Sequence, residues 1–242
     1  MIPKKIHYIW LGNNPLPDIA VQCIESWEKF CPDYEIIRWD ETNLELDKYQ
    51  FASDAYKAGK YAFASDVFRF DILKSEGGIY LDIDVELYKS LDDFLTNDFF
   101  TGFENKLYVA PGLVMGATAN HPFLDSMLEI YSRETFDNEN LKTVCVFATD
   151  YLEERYNLKC NGKTQKLSDG ITVYAPAYFC PKDSLTHKIK MTKNTYSIHH
   201  YYGSWTKPNS KWFIFQARCK RLCKRLVGKK LYAKIKKTLG RG

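Results

Sequence analysis

The sequence predicts an α/β domain, a central sheet flanked by helices, followed by a basic helical tail. Three observations carry that prediction. A strand, loop, helix, strand order fills the opening 39 residues, the start of a layout in which ligands bind at strand ends. A helix-period segment then runs into GGIYLDIDVELYKSL (77–91), where apolar and acidic residues alternate. The composition breaks once, near residue 210.

The elements follow in chain order. KIHYIWL (5–11) is a short apolar run bounded by the turn-rich GNNPLPD, which predicts a buried strand. Apolar residues recur at helical spacing over 19–30 and stop before Pro32, and YEIIRW (34–39) reads as a second strand. A helix is expected over 60–76, with Phe63, Val67, Phe70 and Leu73 on one side and Gly77 as its left-handed stop. Residues 77–91 then read as one strand ending near 85–87. Residues 99–116 read as strand segments around Ala110-Pro111-Gly112, 122–134 and 143–155 as helices, and 171–174 and 195–199 as short strands.

The formal net charge of +4 conceals a segregation. Twelve of the 34 Lys/Arg lie in 211–242, which holds none of the 30 Asp/Glu, so residues 1–210 carry 22 basic against 30 acidic side chains. The division predicts an acidic domain over 1–210 and a basic appendage over 211–242. Seven scattered cysteines without a CxxC pair argue against a disulfide framework or a zinc ribbon and for a reducing compartment. The opening MIPKKIHYIWLG has no signal-peptide core, and no run long enough to span a bilayer follows; these marks predict a cytoplasmic protein.

The chemistry concentrates at Asp82 and Asp84. Residues two apart on a strand share a face, so Asp82, Asp84 and Glu86 repel one another unless a cation sits among them. Two Asp at i, i+2 near a strand's carboxyl end form a hard-oxygen site for Mn²⁺ or Mg²⁺. Phosphohydrolases of the haloacid dehalogenase type also carry DxD after an apolar strand, but with Thr or Val where Glu86 stands here. A third reading is a non-catalytic membrane-associated protein.

The segment AFASDVFRFDILKSEGGIYLDIDVELYKSLDDFL (62–95) resembles the core of the DxD-containing sugar transferases of glycosyltransferase family 32, related to capsular polysaccharide and mannosyl transferases. IPKKIHYIWLG and YEIIRWDE at the start, and IHHYYGSW (198–205) near the end, resemble the same family in the same order. The resemblance implies a GT-A fold with a Rossmann-like, mostly parallel sheet. It implies a retaining, metal-dependent hexosyl transfer from a nucleotide-sugar, a UDP-sugar by preference with GDP open. In its terms Ile9 and Trp10 contact the base, and Asp66 and Arg69 hold the donor sugar. Asp84 binds the metal, and Asp82 contacts the ribose or a metal-bound water. His200 is the expected third ligand with His199 as the alternative, and imidazole tilts the ion towards manganese. Ser204, Trp205 and Lys207 would close over the diphosphate. An intrahelical ion pair at Asp66 and Arg69 and a solvated loop lysine at Lys207 have the same sequence. No residue is a convincing covalent nucleophile, Glu104 being the candidate carboxylate without a motif, and Glu86 has no assigned role.

In the tail, Phe215, Cys219, Leu222, Cys223 and Leu226, then Leu231, Ile235 and Leu239, recur at helical spacing among Lys and Arg. This is the pattern of an interfacial helix on an anionic membrane. The acidic domain carries no recognisable nucleic-acid module, so no nucleic-acid partner is expected. A peripheral position on the inner face of a membrane suits a glycan or lipid-linked glycan acceptor, as in bacterial capsule or lipopolysaccharide assembly. Accordingly, a chain ending at Ser210 should remain folded and lose most of its binding to anionic vesicles in a sedimentation assay; undiminished binding would remove the tail from this role.

Overall fold

The computed structural model describes residues 1–139, 141–184 and 186–202, with isolated positions 223, 226–228 and 231 beyond them. The expectations for Ser204, Trp205, Lys207 and the tail's helical periodicity lie outside the described residues or rest on those few positions.

Strand β1 (Lys5–Ile9) leads through helix α1 (Asp18–Phe30) to β2 (Glu35–Trp39). Helices α2 (Gln50–Lys57) and α3 (Tyr61–Glu76) precede β3 (Gly78–Tyr80) and β4 (Val85–Leu87). Then come β5 (Phe99–Gly102), β6 (Met115–Ala117), α4 (Pro122–Arg133) and α5 (Val144–Tyr156). The described chain closes with β7 (Gln165–Lys166), β8 (Ile171–Tyr174), the short α6 (Pro176–Phe179) and β9 (Ser197–His199). Seven strands form the main sheet in the order β2-β1-β3-β6-β5-β8-β7. The pairings leave β2, β1, β3, β5 and β8 running one way, with β6 and β7 against them. A small second sheet pairs β4 with β9.

Apolar cores cover both faces of the main sheet, which is why β1 is a continuous apolar run. Ile6, Tyr8, Ile79, Leu81 and Phe100 pack with Cys23 and Trp27 of α1. Ile9, Tyr80, Phe99, Met115 and Val173 pack with α2, α3, α4 and α5 on the other side. Short α2 was not anticipated; it inserts Phe51, Ala52 and Ala55 into that second core. Helix α3 departs from the expected one-sided pattern. Its buried set runs from Phe63 through Leu73 around the whole circumference and includes Asp66 and Arg69.

Two local expectations are corrected. Gly77 does not take the left-handed helical stop: at φ 63°, ψ −163° it occupies a region open essentially to glycine alone. Residues 77–91 are not one strand. Leu81 N–H still bonds to His7 O, 3.1 Å, but a turn then closes with Val85 N–H on Asp82 O, 3.1 Å, and the chain leaves the main sheet for the second one. Asp82 and Asp84 therefore sit in a bend between two sheets, not in a row with Glu86.

His7 is fully buried between β1's neighbours. Its Nδ1 accepts from Trp39 Nε1 at 3.1 Å, which leaves Nε2 to donate to Gly77 O at 2.9 Å. Both bonds require the neutral ring, and burial lowers its pKa from 6.5 to about 4. Between those values the unfolded chain binds the extra proton. The stabilisation is thus complete above pH 6.5 and is lost as pH falls towards 4, on the order of 3 kcal/mol in total. Urea unfolding across that window should show this component, and His7→Gln, which can still donate and accept, should flatten it.

Candidate active site

The order β2-β1-β3 makes the boundary between β1 and β3 a switch point: β1 connects to β2 through α1 on one face, and α3 precedes β3 on the other. Crevices at the carboxyl ends of such strand pairs are where α/β sheets bind ligands. Ile9 ends β1 and is buried, while Trp10 follows it half-buried, its indole N–H on Asn14 O at 2.6 Å. The Asp82–Asp84 bend leaves β3 beside them.

Helix α3 delivers a buried cation to this bend. Arg69 Nη2 lies 2.7 Å from Asp66 Oδ1 and 3.4 Å from Asp82 Oδ1. Its Nε donates to Ser65 O at 3.2 Å, and its guanidinium carbon stands 4.7 Å from the centre of the Tyr80 ring. The Tyr80 hydroxyl in turn donates to Asp82 Oδ1 at 3.1 Å. The guanidinium is thus held at Nη2, at Nε and on one face. Burial pushes Asp66 up to about 7 against the pull of Arg69, and burial likewise raises Asp82, Arg69 again opposing.

Strand β9 supplies the rest. Val85 pairs with His199 in the small sheet, which places His199 Nε2 at 3.0 Å from Asp84 Oδ1. Asp84 Oδ2 accepts the Tyr202 N–H at 2.8 Å, and Asp84 O accepts the His200 N–H at 2.8 Å. Burial alone would raise Asp84, but the His199 charge and hydrogen bond, with the Tyr202 N–H, outweigh it and lower its pKa. His199 moves up in return: burial lowers it, and the neighbouring Asp84 more than compensates.

Asp82, Asp84 and His199 can each offer one ligand atom within 4.8 Å of the others. Three further facts make this set fit a divalent cation. The ligand types are those of a hard cation with some affinity for imidazole. Arg69 meets Asp66 and Asp82 while His199 meets Asp84, so the three carboxylates outnumber the cationic groups. His199 Nδ1 is buried without a hydrogen-bond partner among the described residues.

The geometry does not bring the expected His200 to this set. Consecutive residues on a strand face opposite ways, and His200 Nε2 goes to Glu86 Oε2 at 2.8 Å instead. Glu86 thereby acquires the partner that the sequence left unnamed. Glu104 lies past β5, with its Oε1 accepting from the Tyr201 hydroxyl at 3.3 Å. Sequence reasoning also passed over Tyr80 and Gly112. The alternation that sends Tyr80 to the Asp82 side was visible; the closeness of Gly112 to a residue thirty positions away was not.

The fold is GT-A: the chain superposes on the PaToxG glycosyltransferase with a TM-score of 0.52 over 64% of this chain and 69% of that one, at 22% identity. Residues 17–101 match the family model of the glycosyltransferase sugar-binding region containing DXD motif. The chain is similar to the uncharacterized glycosyltransferase L373 of Acanthamoeba polyphaga mimivirus, 36% identical over 52% of this chain and 53% of that protein. It is also similar to inositol phosphoceramide mannosyltransferase 3 of Schizosaccharomyces pombe, 33% identical over 56% of this chain and 39% of that protein. The chain thus matches about half or less of the length of these curated relatives.

Gly112 tests the geometry of the site. Its carbonyl accepts the Asp82 N–H at 3.0 Å, and a Cβ here would stand 2.1 Å from Asp82 Oδ2 and 2.8 Å from Arg69 Nη1. Gly112→Ala should therefore displace the Asp82 carboxylate and weaken Mn²⁺ binding by about tenfold or more, in the range seen when residues supporting a metal ligand are changed. Calorimetric titration with MnCl₂ measures this, and a preserved circular dichroism spectrum separates it from misfolding.

Proposed function

We propose that this chain is a metal-dependent, retaining glycosyltransferase that moves a hexose from a nucleotide-diphosphate donor to a hydroxyl acceptor. The observation that carries the reading is the junction of the Asp82–Asp84–His199 set with the buried Asp66–Arg69 pair at the sheet's switch point. In this reading His199 takes the ligand role first expected of His200. When bound, a divalent cation, Mn²⁺ by preference or Mg²⁺, neutralises charge on the donor diphosphate.

The residues divide the remaining work. Asp84, held by His199 and the Tyr202 N–H, is oriented before any ligand arrives, which lowers the reorganisation needed at the reacting centre. Asp66 and Arg69 offer an acceptor and a fixed fork of donors for sugar hydroxyls. Ile9 and Trp10, at the carboxyl end of β1, are assigned to the base, and Ser204, Trp205 and Lys207 to the diphosphate, from the sequence resemblance alone. Asp66 is committed to Arg69 and Glu104 accepts from Tyr201, so neither is a free nucleophile. A same-face attack by the acceptor hydroxyl, with the departing phosphate taking its proton, supports retention without an enzyme-bound intermediate.

A UDP-hexose is the proposed donor. Relatives named for mannosyl transfer to inositol phosphoceramide bring GDP-mannose into the same screen. Those names, and the basic tail, support an acceptor hydroxyl carried by a lipid or lipid-linked glycan. The described residues contain no helix long and apolar enough to cross a membrane.

Asp82→Asn and Asp84→Asn should each lower nucleotide-sugar turnover at least about a hundredfold, the scale of losing an electrostatic stabiliser. Both should remove the Mn²⁺-dependent rise in melting temperature given by UDP or GDP. His199→Ala should follow them, and His200→Ala should retain most activity. A chain that neither binds nor is stabilised by either nucleotide with saturating Mn²⁺ would refute the transferase reading.

A further inference from the structure

Between α6 and β9 the chain makes an excursion that the site does not use. Residues 187–194, HKIKMTKN, are exposed throughout and contain no acidic side chain. Ile189 and Met191 stand 49% and 50% exposed, alternating with Lys188 and Lys190. Single exposed apolar residues are ordinary. Two aliphatic side chains at one tip, interleaved with three lysines, form a patch of a different kind.

The excursion is braced. An antiparallel bridge joins Lys182 to Ile189, Asp183 N–H bonds to Lys188 O at 3.0 Å, and Lys190 N–H bonds to Pro181 O at 3.0 Å. Farther along, Lys89 Nζ donates to Lys193 O, and the buried Thr195 hydroxyl donates to Ala177 O at 2.9 Å. Its outward display of Ile189 and Met191 is therefore set by backbone bonds at its base. No ion pair among the described residues engages Lys188, Lys190 or Lys193, and Lys89 adds a fourth cation at the edge. Asp183, the nearest acid in sequence, accepts the Thr186 N–H at 2.8 Å on its Oδ1.

We propose that this tip docks on an anionic lipid bilayer, with Ile189 and Met191 entering the interface and Lys188, Lys190 and Lys193 meeting the headgroup phosphates. The two features together select the partner. Cations alone would suit any polyanion, whereas exposed aliphatic side chains gain free energy from an acyl boundary and none from a phosphate backbone. The tip offers no aromatic ring for stacking on a base. Over residues 1–210, where acidic side chains outnumber basic ones, the patch marks one local surface that such a membrane attracts. It is distinct in sequence from the basic stretch at 211–242.

The tip is tied to the strand that carries His199: Lys182 Nζ from its base donates to His200 O at 2.7 Å, and β9 begins three residues after its end. The docking itself does not rest on the transferase reading.

The test uses the full chain and vesicles of equal parts phosphatidylcholine and phosphatidylglycerol, with phosphatidylcholine alone as control. Hydrogen exchange should show slowed exchange at 187–194 only with the anionic vesicles. Ile189→Asp combined with Met191→Asp should weaken vesicle binding by roughly tenfold, given the loss of apolar insertion and two new like charges. Its melting temperature and Mn²⁺-dependent nucleotide binding should be unchanged. Binding with 187–194 unprotected and the double variant equal to the parent would overturn the proposal and assign the attraction to the tail. Absence of any vesicle binding would overturn it as well. Neither outcome bears on the transferase reading, whose test is nucleotide and metal binding.

Discussion

The Arg69 guanidinium is the interaction on which the site is built. A buried charge is tolerated only when it is paired and hydrogen-bonded, because the protein interior returns little of the lost hydration. Arg69 meets that condition with Asp66, Ser65, the face of Tyr80 and the edge of Asp82. The buried run of α3 from Phe63 to Phe70 carries it into the core, while Asp71 and Lys74 form ion pairs at the helix's polar edge. The helix that looks like a core element thus also serves as a rigid mount. Three carboxylates against one guanidinium and one imidazole leave acidic groups in excess, which favours a further cation.

The second constraint is the exit from β3. Were the strand to continue, Asp82 and Asp84 would point the same way into one sheet face, and nothing in that sheet would answer them. The turn closed by Asp82 O and Val85 N–H instead rotates the chain into a two-stranded sheet with β9. Val85 then stands opposite His199, so the pairing register itself delivers an imidazole to Asp84. A slip of one residue would present His200 instead and turn His199 away. The Glu86–His200 contact at 2.8 Å holds that register from the other side of the strand pair, which gives Glu86 a structural place beside the chemistry.

Much of this was legible in the residues. The apolar runs of β1, β2 and β8 and the helical spacing of α1, α4 and α5 have their reasons within a few residues, in pleat, pitch and turn chemistry. The DxD pair and the Asp66–Arg69 spacing were equally readable, since each lies within one element or bend. What was misread depended on partners distant in sequence. The stretch 77–91 alternates as a strand should, and only competition between two sheets for its backbone bonds splits it. His199 and His200 are adjacent and chemically equal, so local pattern had no means of ranking them.

By itself, then, the sequence determined an α/β domain, the acids and the arginine that meet in its cleft, and a separation of acidic body from basic tail. Those properties follow from periodicity and charge, which are local. The tertiary structure decided which imidazole joins Asp82 and Asp84, that Gly112 must stay without a side chain to admit Asp82, and that residues 187–194 project cations and aliphatic side chains to solvent. These depend on register, close approach and exposure, which no spacing along the chain encodes, because they arise only when segments distant in sequence compete for the same space.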